Sequence, residues 1–183
     1  MARRIVYTGD PVLKLAEVAR QCRVEPEDLQ PELIELIIIP GVTAQAEART
    51  GAAIRQATYE ELWPGHYPSG HALDVGQATT VESIHRVHLD GTEELLEVAV
   101  WLNQEGRESF LHFTSGRPYG LLRIRYRAGV DLDAYPGVRS WLLMNAATAY
   151  EYRETLVSGT ILAELPASFT DALLAEITVP PRF

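Results

Sequence analysis

The segment from residue 34 to residue 51 reads IELIIIPGVTAQAEARTG. Four aliphatic residues, Leu36 to Ile39, run directly into Pro40 and Gly41, after which helix-forming residues resume. A proline inside a helix removes one backbone hydrogen bond and crowds the carbonyl four residues earlier, at a cost of about 3 kcal/mol. Packing on both sides can offset that cost. Because the residues after Gly41 have little apolar surface of their own, we expect one kinked helix and not two.

This kinked helix is expected to begin at Pro31 and to stop at Gly51, since proline suits a first helical turn and glycine a helix end. Its apolar positions are predicted to be Leu33, Leu36, Ile37, Pro40, Ala44 and Ala48. A shorter helix is predicted before it, near residues 12–23, with Asp10 as its cap and Pro11 in its first turn.

A third helix is predicted for about residues 136–157. The expected packing side consists of Val138, Trp141, Leu142, Asn145, Ala149 and Tyr152. Small residues at 146–149 allow another helix to approach closely, and the helix with Ala44, Ala46 and Ala48 is the expected partner. After a break at Ser158 and Gly159, a short helix near residues 166–176 precedes an extended VPPRF end.

The intervening residues, about 53–130, read as strands and turns. Alternation at Leu96, Val98, Val100 and Leu102 predicts a half-buried strand, which pairs with residues 110–114 across a turn at 103–106. Asp90 and Gly91 predict another turn, after a strand around 84–89. The sequence therefore predicts one α+β domain over residues 1–183, with helices in 12–50 and 136–176 and a small antiparallel sheet between them.

The last predicted strand, LLRIRYRAG at 121–129, places Arg123, Arg125 and Arg127 on one face and apolar residues on the other. This basic row has two possible roles. It is either a solvated strand face or a set of contacts to an acidic surface on another copy of the chain. The candidate acidic surfaces are Glu25, Glu27, Asp28 and Glu32, or Glu93, Glu94 and Glu97.

Charge and composition exclude several classes of protein. A formal net charge of -9 disfavours sequence-independent DNA binding, which is built from many Lys and Arg contacts to phosphate. The apolar run before Pro40 is too short to span a membrane, and the N-terminal residues MARRIVYTGDPV lack the apolar core of a signal peptide. We therefore expect a protein made in the cytoplasm. Its single cysteine, Cys22, is expected to be an inert buried thiol.

Catalytic and metal-binding patterns are not evident. His85 and His88 would lie on opposite faces of a strand, and the sequence has no nucleophile elbow and no phosphate-binding loop. The acid pairs at 60–61 and 93–94 are interpreted as solvated. We predict no catalytic residue, no metal site and no cofactor. The alternative is a small ligand-binding or enzymatic α+β domain that uses the loop WPGHYPSGHALD, residues 63–74.

Four short motifs along the chain carry a family resemblance: LKLAEVARQCRV, a helix ending in AEARTG, a β-rich middle closing with RIRYRAG, and a helix ending in AYEYRET. In this order they resemble the head-tail connector, or portal adaptor, family of long-tailed bacteriophages and gene transfer particles. The resemblance covers about residues 11–157. Pro40 and Gly41 depart from the family pattern, where a continuous helix is expected.

The resemblance implies a structural virion protein of the neck and not an enzyme. Members of the family form a dodecameric ring beneath the portal protein, extend the channel through which DNA passes without sequence-specific binding, and present a platform for the head-closure (stopper) or tail protein. By this resemblance the C-terminal arm would dock on the portal; its residues are Val179, Pro180, Pro181, Arg182 and Phe183. The alternative for the arm is a frayed terminus.

Overall fold

The computed structural model describes residues 1–152 and 166–181. Its backbone divides into two compact units. Unit 1 comprises Met1–Asp10, Gly51–Val130 and Ile177–Phe183, and contains the strands; unit 2 comprises Pro11–Thr50 and Asp131–Glu176, and contains the helices. The predicted α+β class is confirmed.

Unit 2 is built around its longest helix. The helices are α1 (Leu15–Cys22), α2 (Pro31–Leu33), α3 (Ile39–Thr50), α4 (Pro136–Glu151) and α5 (Ala167–Leu174), and a short 3₁₀ turn covers Pro26–Asp28. Helix α4 packs against α1, α3 and α5, so the expected pairing of the alanine-containing helices is confirmed.

A π-helical turn, Ile34–Ile38, joins α2 to α3 without a break. The amide of Ile39 donates to the carbonyl of Ile34, five residues back, where an α-helix would use four. Pro40 follows directly after this wider turn. The chain from Pro31 to Thr50 is thus one helical run, as expected, and it stops where Gly51 adopts a φ of +67°.

The predicted packing side of this helical run is wrong. One buried row recurs every four positions and consists of Ile34, Ile38, Val42, Ala46 and Thr50; Ile39 and Thr43 beside it are buried as well. By contrast, Leu36 and Ile37 are 72 % and 63 % exposed, and Pro40, Ala44 and Ala48 are exposed as well. A π turn holds more residues per turn than an α-helix. The side chains that follow it are therefore rotated about the helix axis, relative to their positions in a regular α-helix. These residues of the predicted packing side therefore face solvent.

Helix α1 begins later than predicted, because its start is set by a carboxylate inside the helix. Glu17 accepts a hydrogen bond from the amide of Lys14 at 2.8 Å, which satisfies one of the free amides at the helix start. Asp10 and Pro11 are therefore not its cap. Glu17 also pairs with Arg139 of α4, whose guanidinium lies 3.3 Å from Asp133 as well.

Helix α4 agrees with the prediction in its first half only. Val138, Trp141 and Leu142 are buried as expected, but the row continues through buried Ala146, whereas Ala149 and Tyr152 are exposed. The helix ends at Glu151. The predicted extension to 157 and the break at 158–159 lie outside the described residues.

Unit 1 contains two antiparallel sheets. The first has the order β1-β2-β8-β4-β5 and the second the order β3-β7-β6. The strands are β1 (Arg3–Tyr7), β2 (Ala57–Trp63), β3 (His71–Ala72), β4 (Ala78–Val87), β5 (Glu93–Leu95), β6 (Val100–Glu105), β7 (Glu108–Phe113) and β8 (Leu121–Ala128).

Three details of the sheets differ from the prediction. Strand β1 was not expected, and it completes one edge of the larger sheet by pairing with β2. The alternating residues from Leu96 to Leu102 do contact the core, but only the last of them lie in a strand, β6. The turn predicted at 103–106 is shorter, since β6 continues to Glu105 and the reversal falls at Gly106 with a φ of +60°.

One hydrophobic core is shared by residues of both sheets. Tyr59, Trp63, Leu122, Ile124 and Tyr126 from the larger sheet meet Leu111 and Phe113 from the smaller one. The fully buried Ser109 of β7 accepts a hydrogen bond from the amide of Ala78 at 2.9 Å, which links β7 to β4.

Substitution by alanine should have opposite effects on the free energy of unfolding at two helical glycines. At Gly41 a Cβ atom meets no other atom within 4 Å, so Gly41→Ala should raise the free energy of unfolding by about 0.5–1 kcal/mol through helix propensity. At Gly137 a Cβ atom would lie 2.9 Å from the carbonyl oxygen of Leu173, so Gly137→Ala should be destabilising. Urea unfolding of both variants measures the difference. Equal effects would contradict the packing described for α4 and α5.

Candidate functional site

The predicted arginine row exists, and it covers a buried carboxylate. Strand β8 pairs with β2 so that Arg125 lies opposite Glu60, which is only 7 % exposed. Arg125 Nε donates to Glu60 Oε2 at 2.9 Å, and Arg123 Nη1 donates to Oε1 at 3.3 Å. Arg3 of the edge strand adds a third guanidinium, 3.2 Å from Oε1. Three guanidinium groups therefore surround one carboxylate on the inner strand β2.

The other members of the row have acidic partners at the rim. Arg127 Nε donates to Glu82 Oε1 at 2.7 Å, and Arg123 Nε lies 3.3 Å from Glu93 Oε1. The side chains of Arg125 and Arg127 remain 45 % and 46 % exposed. The structure thus gives the row partners within the chain while leaving it accessible. Its predicted contact with another copy stays a prediction.

Glu60 is held ionised by its neighbours. Burial alone would raise the pKa of its carboxyl, but the hydrogen bond from Arg125 and the charges of Arg123 and Arg125 outweigh it, so the pKa lies below the ordinary value. The interpretation of residues 60–61 as a solvated acid pair is therefore wrong. Apolar residues on both sides of the pair, in ATYEELW, are the signal of a buried strand.

Glu61 faces the opposite side of the same strand, inside the core. It is 3 % exposed and accepts hydrogen bonds from Trp63 Nε1, from the amide of Asp74 at 3.0 Å and from Tyr126 Oη at 3.1 Å. Burial raises its pKa despite these donors, and the nearby charge of Asp74 acts in the same direction. Glu61 therefore has the environment of a structural carboxylate, because each of these hydrogen-bond donors is a group of the chain's own fold.

Exposed apolar side chains lie among the arginines. Residues directly opposite each other in paired strands share a face, and the pairings Val6 to Thr58, Leu62 to Arg123 and Leu95 to His85 put three exposed apolar residues on the arginine side. We call this side the arginine face; it consists of Arg3, Val6, Leu62, Leu95, Arg123, Arg125 and Arg127.

A second exposed apolar surface lies in unit 2. It is a depression of about 750 Å³ lined by Leu29, Gln30, Pro31, Glu32, Leu33, Leu36 and Ile37. We call Leu33, Leu36 and Ile37, with the acids Glu27, Asp28 and Glu32 that precede or line them, the helix stripe. In the described ranges 1–152 and 166–181, no ion pair reaches the carboxylates of those three acids.

The inner part of the C-terminal arm rests on unit 1. Ile177 is fully buried, and Val179 lies against Gly51 and Gly76, where an added Cβ would come within 3.3 Å and 2.8 Å of its side-chain atoms. Pro180 and Pro181 are exposed. Arg182 and Phe183 lie outside the described residues, and the predicted docking of the arm stays a prediction.

The loop at 63–74 is filled by its own aromatic rings. The rings of Tyr67 and His71 have centroids 3.9 Å apart, and His71 also lies edge-on to Trp63 at 5.3 Å. The hydroxyl of Ser69 accepts a hydrogen bond from the amide of Phe113 at 2.8 Å, which ties the loop to strand β7. Arg117 holds the loop by donating to the carbonyls of Trp63 and Pro64. These contacts give the aromatic residues of the loop a packing role.

The described residues contain neither a cluster of metal ligands nor a membrane-spanning helix. Among the described residues, no three His, Cys, Asp or Glu side chains converge as a metal site would require. Nor does any described helix combine the length and the apolar character needed to cross a bilayer.

Comparison with known proteins gives a likeness in fold only. No protein-family model and no curated protein sequence matches the chain. Among solved structures, the chain is similar to one from the neck of an empty gene transfer agent (GTA) particle computed with C6 symmetry, with a TM-score of 0.75 and 17 % identity. It is also similar to chains from the virion of a native GTA particle (0.75, 18 %) and from the neck of a native GTA particle computed with C12 symmetry (0.70, 18 %). Each match covers 100 % of this chain and 97 % of the other.

The two neighbouring acids of β2 should show opposite pH responses. Glu60→Gln should lower the free energy of unfolding at pH 7 by about 2 kcal/mol, since it leaves three guanidiniums around a neutral amide. Because the pKa of Glu60 is lowered on folding, wild type should lose this advantage as the pH falls through that lowered value.

The pKa of Glu61 is raised on folding, so its contribution has the opposite sign. Wild type should lose stability relative to Glu61→Gln as the pH rises from the ordinary glutamate value through the raised one. Urea unfolding of the three proteins across the acidic range measures both slopes. Slopes of the same sign would contradict the two environments described.

Histidine substitutions in the 63–74 loop should show how much ring packing contributes to its stability. His71→Ala should cost about 1–2 kcal/mol of unfolding free energy because it removes the ring contacts to Tyr67 and Trp63. His66→Ala removes one ring contact, to Tyr67, at an exposed position and should cost less than about 0.5 kcal/mol. Thermal unfolding provides the measurement. If both variants kept full stability, packing would not explain why these residues occupy the loop.

Proposed function

We propose that this chain is a structural subunit of the neck of a phage-like particle, located in the virion at the head-tail interface, and that it is not an enzyme. The observation that carries the proposal is the likeness in fold to GTA neck structures, which extends over the whole chain. The order of motifs that resembles the connector family supports the same role independently of the fold.

In the finer form of the proposal, copies of the chain assemble as a dodecameric ring under the portal protein. The ring extends the DNA channel and provides the platform for the head-closure or tail protein. The C12 symmetry named for one similar neck structure is compatible with twelve copies. Arg123, Arg125 and Arg127 contact a neighbouring subunit, and the arm Val179, Pro180, Pro181, Arg182 and Phe183 contacts the portal.

The charge of the chain supports passage of DNA without tight binding. Affinity for duplex DNA is built from Lys and Arg contacts to phosphate, and this chain carries a net charge of -9. Its exposed arginines on β8 already have acidic partners. A ring of such subunits offers phosphate few cations, so a duplex can slide through it.

Removal of the chain from the cell that produces the particle tests the proposal. Without it, we expect filled heads that lack tails, and restoring the wild-type chain should restore tailed particles in electron micrographs. Purified chain mixed with portal protein should form rings seen in the same images. Normal tailed particles in its absence, or a strictly monomeric chain that ignores the portal, would contradict the neck role.

A further inference from the structure

The helix stripe is an apolar surface that the described chain leaves open. Leu36 and Ile37 are among its most exposed large apolar side chains, although the sequence places them in a regular apolar row with Leu33. The opposite side of the same helical run supplies the buried residues. A helix that is apolar on both sides has one side for its own core and one for a partner.

The charges beside the stripe indicate what kind of partner fits. Glu27, Asp28 and Glu32 are exposed and, within the part of the chain that the structure describes, have no cationic neighbour in contact. Counted from the sequence, unit 2 contains fourteen acidic and six basic residues, whereas unit 1 contains eleven and ten. The partner surface should therefore be apolar in part and basic.

The arginine face of unit 1 has this composition. It presents exposed Val6, Leu62 and Leu95 beside four arginines, and its nearest acids are the three carboxylates of Glu60, Glu82 and Glu93. Each arginine can donate five hydrogen bonds, and Arg125 and Arg127 are bonded to carboxylates through Nε, so both are equipped to reach a second acid.

We propose that the helix stripe of one copy receives the arginine face of the next copy. This inference rests on the proposed function, and it names the two surfaces that join neighbouring subunits. Because the surfaces are different patches of one chain, the contact is head-to-tail, and its repetition closes a ring when the rotation per subunit allows. Opposite charges set the orientation, and the exposed apolar residues supply the contact area.

Two other pairings of these surfaces fit the charges less well. Residues 153–165, RETLVSGTILAEL, contain one arginine and two glutamates, so their net charge has the same sign as the stripe. The alternative acidic surface for the arginine row consists of Glu93, Glu94 and Glu97, and two of these three acids are already paired within the same chain, Glu93 with Arg123 and Glu94 with Arg86. In the helix stripe, by contrast, none of the three acids forms an ion pair with a described residue.

A mixing experiment tests the pairing of the two surfaces. Leu36→Asp/Ile37→Asp destroys the stripe and leaves the arginine face intact, whereas Leu62→Asp/Leu95→Asp does the reverse. Each variant alone should self-associate about tenfold or more weakly than wild type. Mixed in equal amounts, they should form a 1:1 heterodimer and nothing larger, because each contributes one working surface. Sedimentation velocity and mass photometry measure the species.

Controls separate these surfaces from general effects of charge. Leu89 is fully exposed at a hairpin tip outside both surfaces, so Leu89→Asp should assemble as wild type does. Glu27→Lys/Glu32→Lys should weaken assembly, whereas Glu97→Lys/Glu105→Lys, with the same change in net charge at exposed positions, should not. Circular dichroism and urea unfolding verify that every variant is folded.

The outcomes distinguish this inference from the neck role. If wild type assembles and both aspartate variants assemble equally well, the surfaces are wrong although the neck role stands. If both variants are monomeric and their mixture is too, each surface meets something else, such as a basic segment of another protein, and the pairing is overturned. A wild-type chain that never self-associates overturns it also, while the test with particles decides the neck role separately.

Discussion

Two adjacent carboxylates on strand β2, both buried and on opposite faces, impose the main constraint on unit 1. A buried charge is costly unless it is paired or hydrogen-bonded, so each face must supply partners. Strand β8 does this for both: Arg125 on one side reaches Glu60, and Tyr126 on the other reaches Glu61. The alternation of arginine and apolar residues along β8 therefore matches the acid pair. A one-residue shift in the pairing of β8 with β2 would leave both acids without these partners.

The helical run of unit 2 resolves a different conflict. A proline must be placed in a helix that also has apolar residues on two sides, and the π turn before Pro40 changes which of those residues point to the core. One row, from Ile34 to Thr50, is buried, and the row with Leu36 and Ile37 is left to solvent. Pro40 thus lies directly after the wider turn, on the exposed side of the helical run.

Features that depend on local periodicity were predictable from the sequence, whereas features that depend on distant partners were not. The β8 faces, the continuous helix from Pro31 and the glycine stop at 51 all follow from spacing or from single-residue preferences. The buried side of that helix did not, because a π turn leaves no reliable mark in composition. Strand β1, with two arginines in five residues, becomes a strand only because β2 offers it an edge and Glu60 a partner for Arg3. The same long-range pairing buries residues 60–61 on an inner strand of the sheet, although they were predicted to be solvated.

The uneven distribution of charge connects the fold to the proposed assembly. Unit 1 is almost neutral because its arginines and glutamates pair with one another, so its exposed face can approach another surface without strong repulsion. Unit 2 keeps most of the negative charge, and three of its acids, Glu27, Asp28 and Glu32, precede or line an open apolar row. Two like surfaces of unit 2 would repel, which disfavours symmetric back-to-back dimers. A contact between unlike surfaces removes this repulsion, and only such a contact can be repeated from copy to copy, as a ring requires.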